Sequence, residues 1–372
     1  MSGKTIQFVQ EVFAHADIRV GGDRPWDIQV HDPGFYSRIV RDGSLGLGES
    51  YMDAWWDAQH LDQFIYRILT GELRKHVPRS FKALRLLVAE KYFNRQSKSR
   101  AVVVSDAHYN LGNDLFQVML DERMVYTCGY WKDATTLAEA QVAKMDLVCR
   151  KLGFEKGMHV LDIGCGWGSF AKFAAERYGV SVVGIGNAVE QIELGSEMCK
   201  GLPVELRFED YRDTKGSYDR VVSIGMFEAV GPKNFRKYME VVDRCLKKDG
   251  LFLLHTIGAN RLNTDPDAWT DKYIFPNGYL PTIAEIAKSI EGLFVMEDWH
   301  NFAAYYEKTL LAWHANFERG WPALKEKYGE RFYRMWTYYL LSFAGSFRAR
   351  SNQLWQIVMS KKGVPGGYVS LR

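Results

Sequence analysis

Paired cysteines, long hydrophobic runs and a surplus of one charge are all missing from this sequence. Its five cysteines are Cys128, Cys149, Cys165, Cys199 and Cys245, with no C-x-x-C pair. An odd, scattered set argues against a disulfide framework and against a structural zinc site, and no metal is expected. No apolar run approaches the ~20 residues of a membrane-spanning helix, so any membrane contact is expected to be peripheral. The opening Met-Ser-Gly-Lys-Thr-Ile-Gln has no basic start followed by an apolar core, so no secretory signal is expected there. The formal net charge of +3 is too small to imply a partner by itself. No nucleic-acid recognition motif, internal repeat or low-complexity tract is visible, so no nucleic-acid partner is expected and a cytosolic location is.

Aromatic residues, by contrast, are plentiful: 11 Trp, 20 Tyr and 21 Phe. Most must serve a core, and the remainder suit an apolar substrate tunnel lined by such residues as Trp131, Trp269, Phe275 and Tyr279. The 372 residues allow two or three domains at ~100–200 residues each. Residues 1–73 mix strand-like pieces, Asp17 to Val20 and Asp27 to Val30, with apolar–aromatic helical stretches broken at Pro33 and by the Gly43–Gly48 run. From 106 to 372, strand and helix patterns alternate. Strand candidates are Met158–Ile163, Ser181–Ile185, Glu205–Phe208, Tyr218–Ile224 and Leu251–Thr256, with Leu293–Met296 and Leu354–Met359 able to complete a seven-stranded sheet. Such alternation predicts an α/β domain with a mostly parallel sheet covered on both faces, beside a smaller, mostly helical N-terminal domain.

Between them, residues 74–105 carry Arg74, Lys75, Arg79, Lys82, Arg85, Lys91, Arg95, Lys98 and Arg100 against the single acid Glu90. Phe81, Leu84, Val88 and Tyr92 fall near helical spacing. Two readings stand open: a basic amphipathic helix that docks on anionic phospholipid headgroups, and a solvated linker helix whose apolar stripe packs on a neighbouring domain.

The most informative run is Val160-Leu-Asp-Ile-Gly-Cys-Gly-Trp-Gly168. A short apolar strand enters a turn with Gly164, Gly166 and Gly168, and a helix pattern follows from Ser169 to Tyr178. The G-x-G-x-G spacing fits the turn of S-adenosylmethionine (SAM) methyltransferases, a Rossmann-like fold, better than the G-x-G-x-x-G of dinucleotide dehydrogenases. The turn is expected to pass under the amino-acid and ribose parts of SAM. In α/β folds ligands sit beyond the carboxyl ends of the strands. Asn187 and Gln191, after the second strand, are therefore placed to reach the ribose hydroxyls. Asp210, after the third, is placed to accept from the adenine amine, with a plain turn role as the competing reading.

Several longer motifs carry a resemblance. Tyr109-Asn-Leu-Gly-Asn-Asp-Leu-Phe116 precedes Val125-Tyr-Thr-Cys-Gly-Tyr-Trp131, and the glycine turn follows. Then come Gly225-Met-Phe-Glu-Ala-Val-Gly-Pro-Lys-Asn234, Leu253-Leu-His-Thr-Ile-Gly258 and Lys272-Tyr-Ile-Phe-Pro-Asn-Gly278. Gly43-Ser-Leu-Gly-Leu-Gly-Glu-Ser-Tyr-Met-Asp53 and Ser346-Phe-Arg-Ala-Arg350 extend the match to nearly the whole chain. The order resembles the cyclopropane-fatty-acyl-phospholipid synthases.

The resemblance implies methylation by SAM of the cis double bond of an unsaturated acyl chain, in place on a membrane phospholipid. A carbocation then loses a proton from the new methyl group and closes to a cyclopropane, with bound bicarbonate as base. Carried onto this sequence, the bicarbonate contacts are Cys128, Glu228, His255, the backbone at Ile257, and Tyr306; Tyr126 and Thr127 match positions that touch SAM. The resemblance also implies a homodimer, and an enzyme peripheral on the inner face of the cytoplasmic membrane. These residue types suit the chemistry. A weak alkene nucleophile needs close alignment with the sulfonium, and aromatic faces stabilise a cation by ~0.5–2 kcal/mol each. A small anionic base held by hydrogen bonds avoids the covalent trapping that a nearby carboxylate invites.

The match departs from the family pattern in places. Gly186 and Ala188 stand where the family commonly has Thr and Ser, which removes two hydroxyls beside the cofactor, at ~1 kcal/mol each if they were bonded. Ala229 replaces a His, and Phe343 stands near a position where a family cysteine falls. The alternatives are a related SAM methyltransferase that gives a methyl-branched lipid or methylates a small amine, and a non-catalytic SAM- or lipid-binding paralogue.

Overall fold

The computed structural model describes residues 3–71, 73, 112–262 and 267–372; the whole basic segment 74–105, and Tyr109, lie outside them. In chain order the elements begin with α1 (Gly3–Ala14), β1 (Ile28–Val30), α2 (Gly34–Asp42), α3 (Ser44–Met52), β2 (Trp56–Ala58), α4 (Leu61–Thr70), α5 (Asn113–Met119) and α6 (Leu137–Lys151). There follow β3 (His159–Ile163), α7 (Ser169–Tyr178), β4 (Ser181–Gly186), α8 (Val189–Met198), β5 (Val204–Phe208), β6 (Tyr218–Ile224), α9 (Phe235–Cys245) and β7 (Leu246–Ala259). The chain ends with α10 (Ala268–Tyr273), α11 (Ile283–Ile290), β8 (Val295–Asn301), α12 (Ala304–Arg348) and β9 (Asn352–Ser360).

Two compact units result. The first combines Met1–Phe93, Thr264–Pro276 and Tyr306–Asn352; the second combines Asn94–Asn263, Asn277–Tyr305 and Gln353–Arg372. The grouping differs from a simple break near residue 106, and specific contacts explain it. Glu49 on α3 accepts from Lys272 Nζ at 2.6 Å and from the Tyr273 hydroxyl at 2.8 Å. Trp269, 1% exposed, donates to Met52 Sδ at 3.3 Å and packs its ring 4.6 Å from that of Tyr338. Arg348, near the end of α12, bridges Asp62 and Glu307 at 2.5 and 2.8 Å. Trp269 is therefore core, not tunnel lining. The unit closes around Phe13, Trp56 and Phe64, with ring centroids 5.0 to 5.8 Å apart along that series, beside the antiparallel β1–β2 ribbon.

The second unit is built on a seven-stranded sheet in the order β5-β4-β3-β6-β7-β9-β8. The pairs β3–β4, β4–β5, β3–β6 and β6–β7 are parallel, and β8–β9 is antiparallel. Alternation explains why both faces are covered. Leu161, Val221, Phe252, Leu254 and Ile357 enter one core cluster, while their neighbours Val160, Val222, Leu253 and Val358 enter the other. Successive side chains point to opposite faces, so strands apolar at every position need helices on both. Capping boxes open α6 at Thr136 and Glu139 and α11 at Thr282 and Glu285. Each of the seven strands expected after residue 106 is present, whereas the expected Asp17–Val20 piece forms only an isolated bridge from Val20 to Ile28. β7 runs from Leu246 to Ala259, longer at both ends than expected, and β8 starts at Val295 and runs through Glu297, Asp298 and His300; polar residues on an edge strand hid its length. Chain order reverses between β3 and β6, which puts a crevice at the carboxyl ends of these strands.

Candidate active site

β3 delivers the glycine turn to that end of the sheet. Gly164, Gly166 and Gly168 have φ of +88°, +55° and +72°, conformations that L side chains rarely adopt. A Cβ on Gly164 would stand 2.5 Å from Met226 Cβ, and one on Gly168 would stand 2.7 Å from Leu206 Cδ1. Apart from its own chain neighbours, no atom among the described residues lies within 4 Å of the corresponding point at Gly166. The Ile185 carbonyl accepts from the amides of Gly164 and Cys165 at 2.9 and 3.0 Å, which ties the turn to β4. Gly168 caps α7 without a side chain, so the first amides of that helix have no side-chain acceptor at this cap. Phe116 of α5 packs between Trp167 and Tyr126, with centroids 5.0 and 5.1 Å away.

After β4, Asn187 is half-buried and Gln191 is buried in the first turn of α8. Gly186 lies outside the positive-φ set, and the nearest atom to a Cβ there would be Ile192 Cδ1 at 3.4 Å. Asp210 is engaged locally: its two oxygens accept from the Arg212 amide at 2.9 Å and the Arg212 guanidinium at 2.7 Å.

A second set of groups lies where β6 and β7 end. Glu228 sits in the short 3₁₀ turn Phe227–Ala229 that follows β6. Its Oε1 accepts from the Ile257 amide at 2.6 Å. Its Oε2 is enclosed and has no hydrogen-bond partner among the described residues, although the residue as a whole is partly exposed. Burial pushes the Glu228 carboxyl up to about 7, against the opposing Ile257 amide and Thr256 hydroxyl. The Ile257 N–H donates to Glu228, and its carbonyl accepts from Thr256 Oγ1 at 3.0 Å. His255 is 1% exposed on β7, and burial, with positive charge on Lys144, Lys151 and His300, holds it well below the usual histidine range. Its ring is neutral at physiological pH.

The Tyr126–Cys128 segment approaches this end from α6. Gln141 Nε2 donates to the Thr127 carbonyl at 2.7 Å, and Lys144 Nζ donates to Thr127 Oγ1 at 2.7 Å. Thr127 Cγ2 would stand 2.9 Å from a Cβ on Gly225, so the glycine after β6 makes room for it. Cys128 is fully buried, with Sγ 3.2 Å from the Gly129 carbonyl. Tyr306 belongs to the first unit, where its ring lies 4.5 Å from Phe347 and 6.1 Å from Trp313. Tyr279 donates its amide to the Glu228 carbonyl at 2.8 Å and its hydroxyl to Glu285 at 2.7 Å.

Four further residues escaped sequence reasoning: Gln141, Lys144, Asp162 and Gln356. Burial pushes Lys144 down to about 8 and Asp162 up to about 7. Gln356 Nε2 lies 3.3 Å from His255 Nδ1. The available signal was a polar residue inside an apolar strand or stripe: Asp162 within Val160–Ile163, Gln356 within Leu354–Met359, Lys144 between Ala143 and Met145. A buried polar group is retained only where something bonds it.

The sheet order, the glycine turn and the adjoining polar cluster define a Rossmann-like SAM-dependent methyltransferase. The description "Mycolic acid cyclopropane synthetase" matches residues 96–357, and the chain belongs to that family. It is similar to the cyclopropane-fatty-acyl-phospholipid synthase of Escherichia coli (strain K12), 51% identical over 361 residues that cover 97% of this chain and 94% of the relative. It is also similar to the tuberculostearic acid methyltransferase UfaA1 of Mycobacterium tuberculosis, 33% identical over 90% of this chain and 83% of the relative. Among solved structures, the mycolic acid cyclopropane synthase CmaA1 complexed with SAH and CTAB aligns at a TM-score of 0.66 and 30% identity, over 70% of this chain and 98% of that one.

Proposed function

We propose that this enzyme transfers a methylene from SAM to the cis double bond of an unsaturated phospholipid acyl chain and closes a cyclopropane ring, with bicarbonate as the bound base. The observation that supports it most is the enclosed Glu228 carboxyl beside neutral His255, at the same sheet end as the glycine turn. The relative named cyclopropane-fatty-acyl-phospholipid synthase spans nearly the same length.

The glycine turn, Tyr126, Thr127, Asn187 and Gln191 bind and orient the cofactor under this proposal, and Asp210 stays a candidate for the adenine end. The polar cluster fits a small protonated anion, because the orphaned Glu228 Oε2 needs a donor. When bound, bicarbonate would supply the acceptor for the proton that leaves the new methyl group. Glu228 near half-protonation can hold or release a proton at Oε2. Neutral His255 has one N–H to donate, and Cys128 adds a weak donor. Ile257 acts by fixing Glu228. Tyr306 keeps its role as the fifth contact on the resemblance alone. Tyr130 and Phe302 pack edge to face at 5.5 Å, and Phe302 packs 5.7 Å from the His255 ring; this apolar wall keeps water from a carbocation.

The proposal also places the enzyme peripherally on the inner face of the cytoplasmic membrane, as a homodimer. Among the described residues no helix is long and apolar enough to cross a membrane. The test is mass spectrometry of lipids from a host that makes unsaturated phospholipids and expresses this chain. A gain of one CH2 per modified acyl chain, with loss of the double bond, is expected. A gain with a branched chain would instead favour methyl transfer without closure, the outcome that the relative named a methyltransferase keeps in view. Unchanged lipids would refute both.

A further inference from the structure

β9 carries a glutamine where nothing about the core calls for one. Gln356 is fully buried between Trp355 and Ile357 in a strand whose other residues from Leu354 to Met359 are at most 1% exposed. An amide in such a place costs stability unless it is bonded. Its side-chain hydrogen bond, Nε2 to His255 Nδ1 at 3.3 Å, reaches the neighbouring strand β7.

We propose that Gln356 is the positioning residue that sets the tautomer of His255: its amide N–H donates to Nδ1, so the single ring proton sits on Nε2. A neutral imidazole has one N–H, and a nitrogen that accepts cannot carry it. The ring stays neutral in its setting. The charged or titratable groups that face it are Lys144 and Lys151 from α6 and His300 from β8, and burial adds to their effect. Phe302 holds the ring edge to face at 5.7 Å, so it does not turn over to exchange its two nitrogens. The consequence is directional. His255 offers a donor at Nε2 to an oxygen ligand, and not a lone pair. That use of Nε2 rests on the proposed function; the tautomer itself does not.

The experiment uses the full chain labelled with ¹⁵N-histidine. Substituting His255→Asn assigns the His255 resonances by their disappearance. The wild-type ring should show a pyridine-type Nδ1 and a pyrrole-type Nε2 across neutral pH. Gln356→Glu puts an acceptor opposite Nδ1, so the proton should move to Nδ1 and the ring should become easier to protonate. Turnover should then fall by at least about tenfold, with KM for SAM changed less than about twofold. The pH profile should gain a histidine titration that the wild type lacks. Gln356→Met, of similar size and unable to bond, should give a mixed tautomer and an intermediate loss. A wild-type ring protonated at Nδ1 would overturn the proposal, as would a Gln356→Met variant with unchanged tautomer and turnover. If both variants fold poorly, the wild-type spectrum alone still decides. A pyrrole-type Nε2 in an enzyme indifferent to His255→Asn would uphold the Gln356 assignment and count against the proposed function.

Discussion

The carboxyl ends of β3 and β4 present backbone to the crevice; those of β6 and β7, with β9 beside them, present buried side chains. On the first side three glycines with positive φ hold a turn, and hydrogen bonds to Ile185 fix it. On the second side the Ile257 amide fixes Glu228, and Gln356 contacts His255 from the neighbouring strand. The difference matches what each side does under the proposed function. A cofactor common to many enzymes is held by shape and main-chain groups, which few substitutions can imitate. Proton chemistry needs groups whose protonation is set by burial, and only side chains supply that.

If the contrast is right, damage on the polar side should cost turnover and damage on the glycine side should cost cofactor binding. Glu228→Gln should lower kcat by about a hundredfold or more and leave SAM affinity by calorimetry within about twofold, with no rescue by added bicarbonate. Unchanged turnover would remove Glu228 from the reaction. Gly164→Ala places a Cβ 2.5 Å from Met226 at a φ of +88°. It should weaken SAM binding by about tenfold or more and destabilise the fold by about 1–3 kcal/mol in urea unfolding.

Lys144→Met sharpens the comparison, because Lys144 is buried and donates to Thr127, which the proposal assigns to the cofactor. SAM affinity should fall by about three- to tenfold while thermal stability holds or rises, since an apolar residue there removes a desolvated charge. A large loss of stability would recast Lys144 as a purely structural group. The pH dependence of stability supplies a fourth test. Glu228 and Asp162, raised to about 7, keep in the folded state protons that the unfolded chain has already lost. The contribution of these two carboxyls to stability should therefore fall as pH rises from the ordinary carboxylate range to about 7 and level off above it, against an opposing rise from the depressed His255 and Lys144. Glu228→Gln should flatten part of that slope, on the order of 1–3 kcal/mol. The smallest effect is expected at Gly186→Ala. Its Cβ would find ordinary contact distances, so SAM affinity and melting temperature should barely move; a large loss would mean that the glycine is required there.

The same contrast governs what could be read from the chain. The glycine turn is contiguous, so Gly164, Gly166 and Gly168 were legible with the strands around them. Alternation of buried residues across β3, β6, β7 and β9 made the seven strands legible as well. The polar cluster is assembled from sites far apart in sequence. Glu228 and His255 stood out through resemblance, whereas the 101-residue separation of His255 and Gln356 leaves no local trace of their bond. Lys144 stood out only as a polar residue between Ala143 and Met145, and its bond to Thr127, 17 residues away, left no mark on the sequence. The two-unit division was hidden for the same reason: ion pairs such as Lys272–Glu49 and Arg348–Asp62 join positions that periodicity cannot link.

The central claim, that a methyl group delivered on the glycine side loses a proton on the polar side, is tested most directly with SAM whose methyl group is fully deuterated. Mass analysis of the lipid product should find two deuterons retained, because one leaves as the ring closes. Retention of all three would show methyl transfer without deprotonation of that carbon, and would contradict the role assigned here to Glu228 and His255.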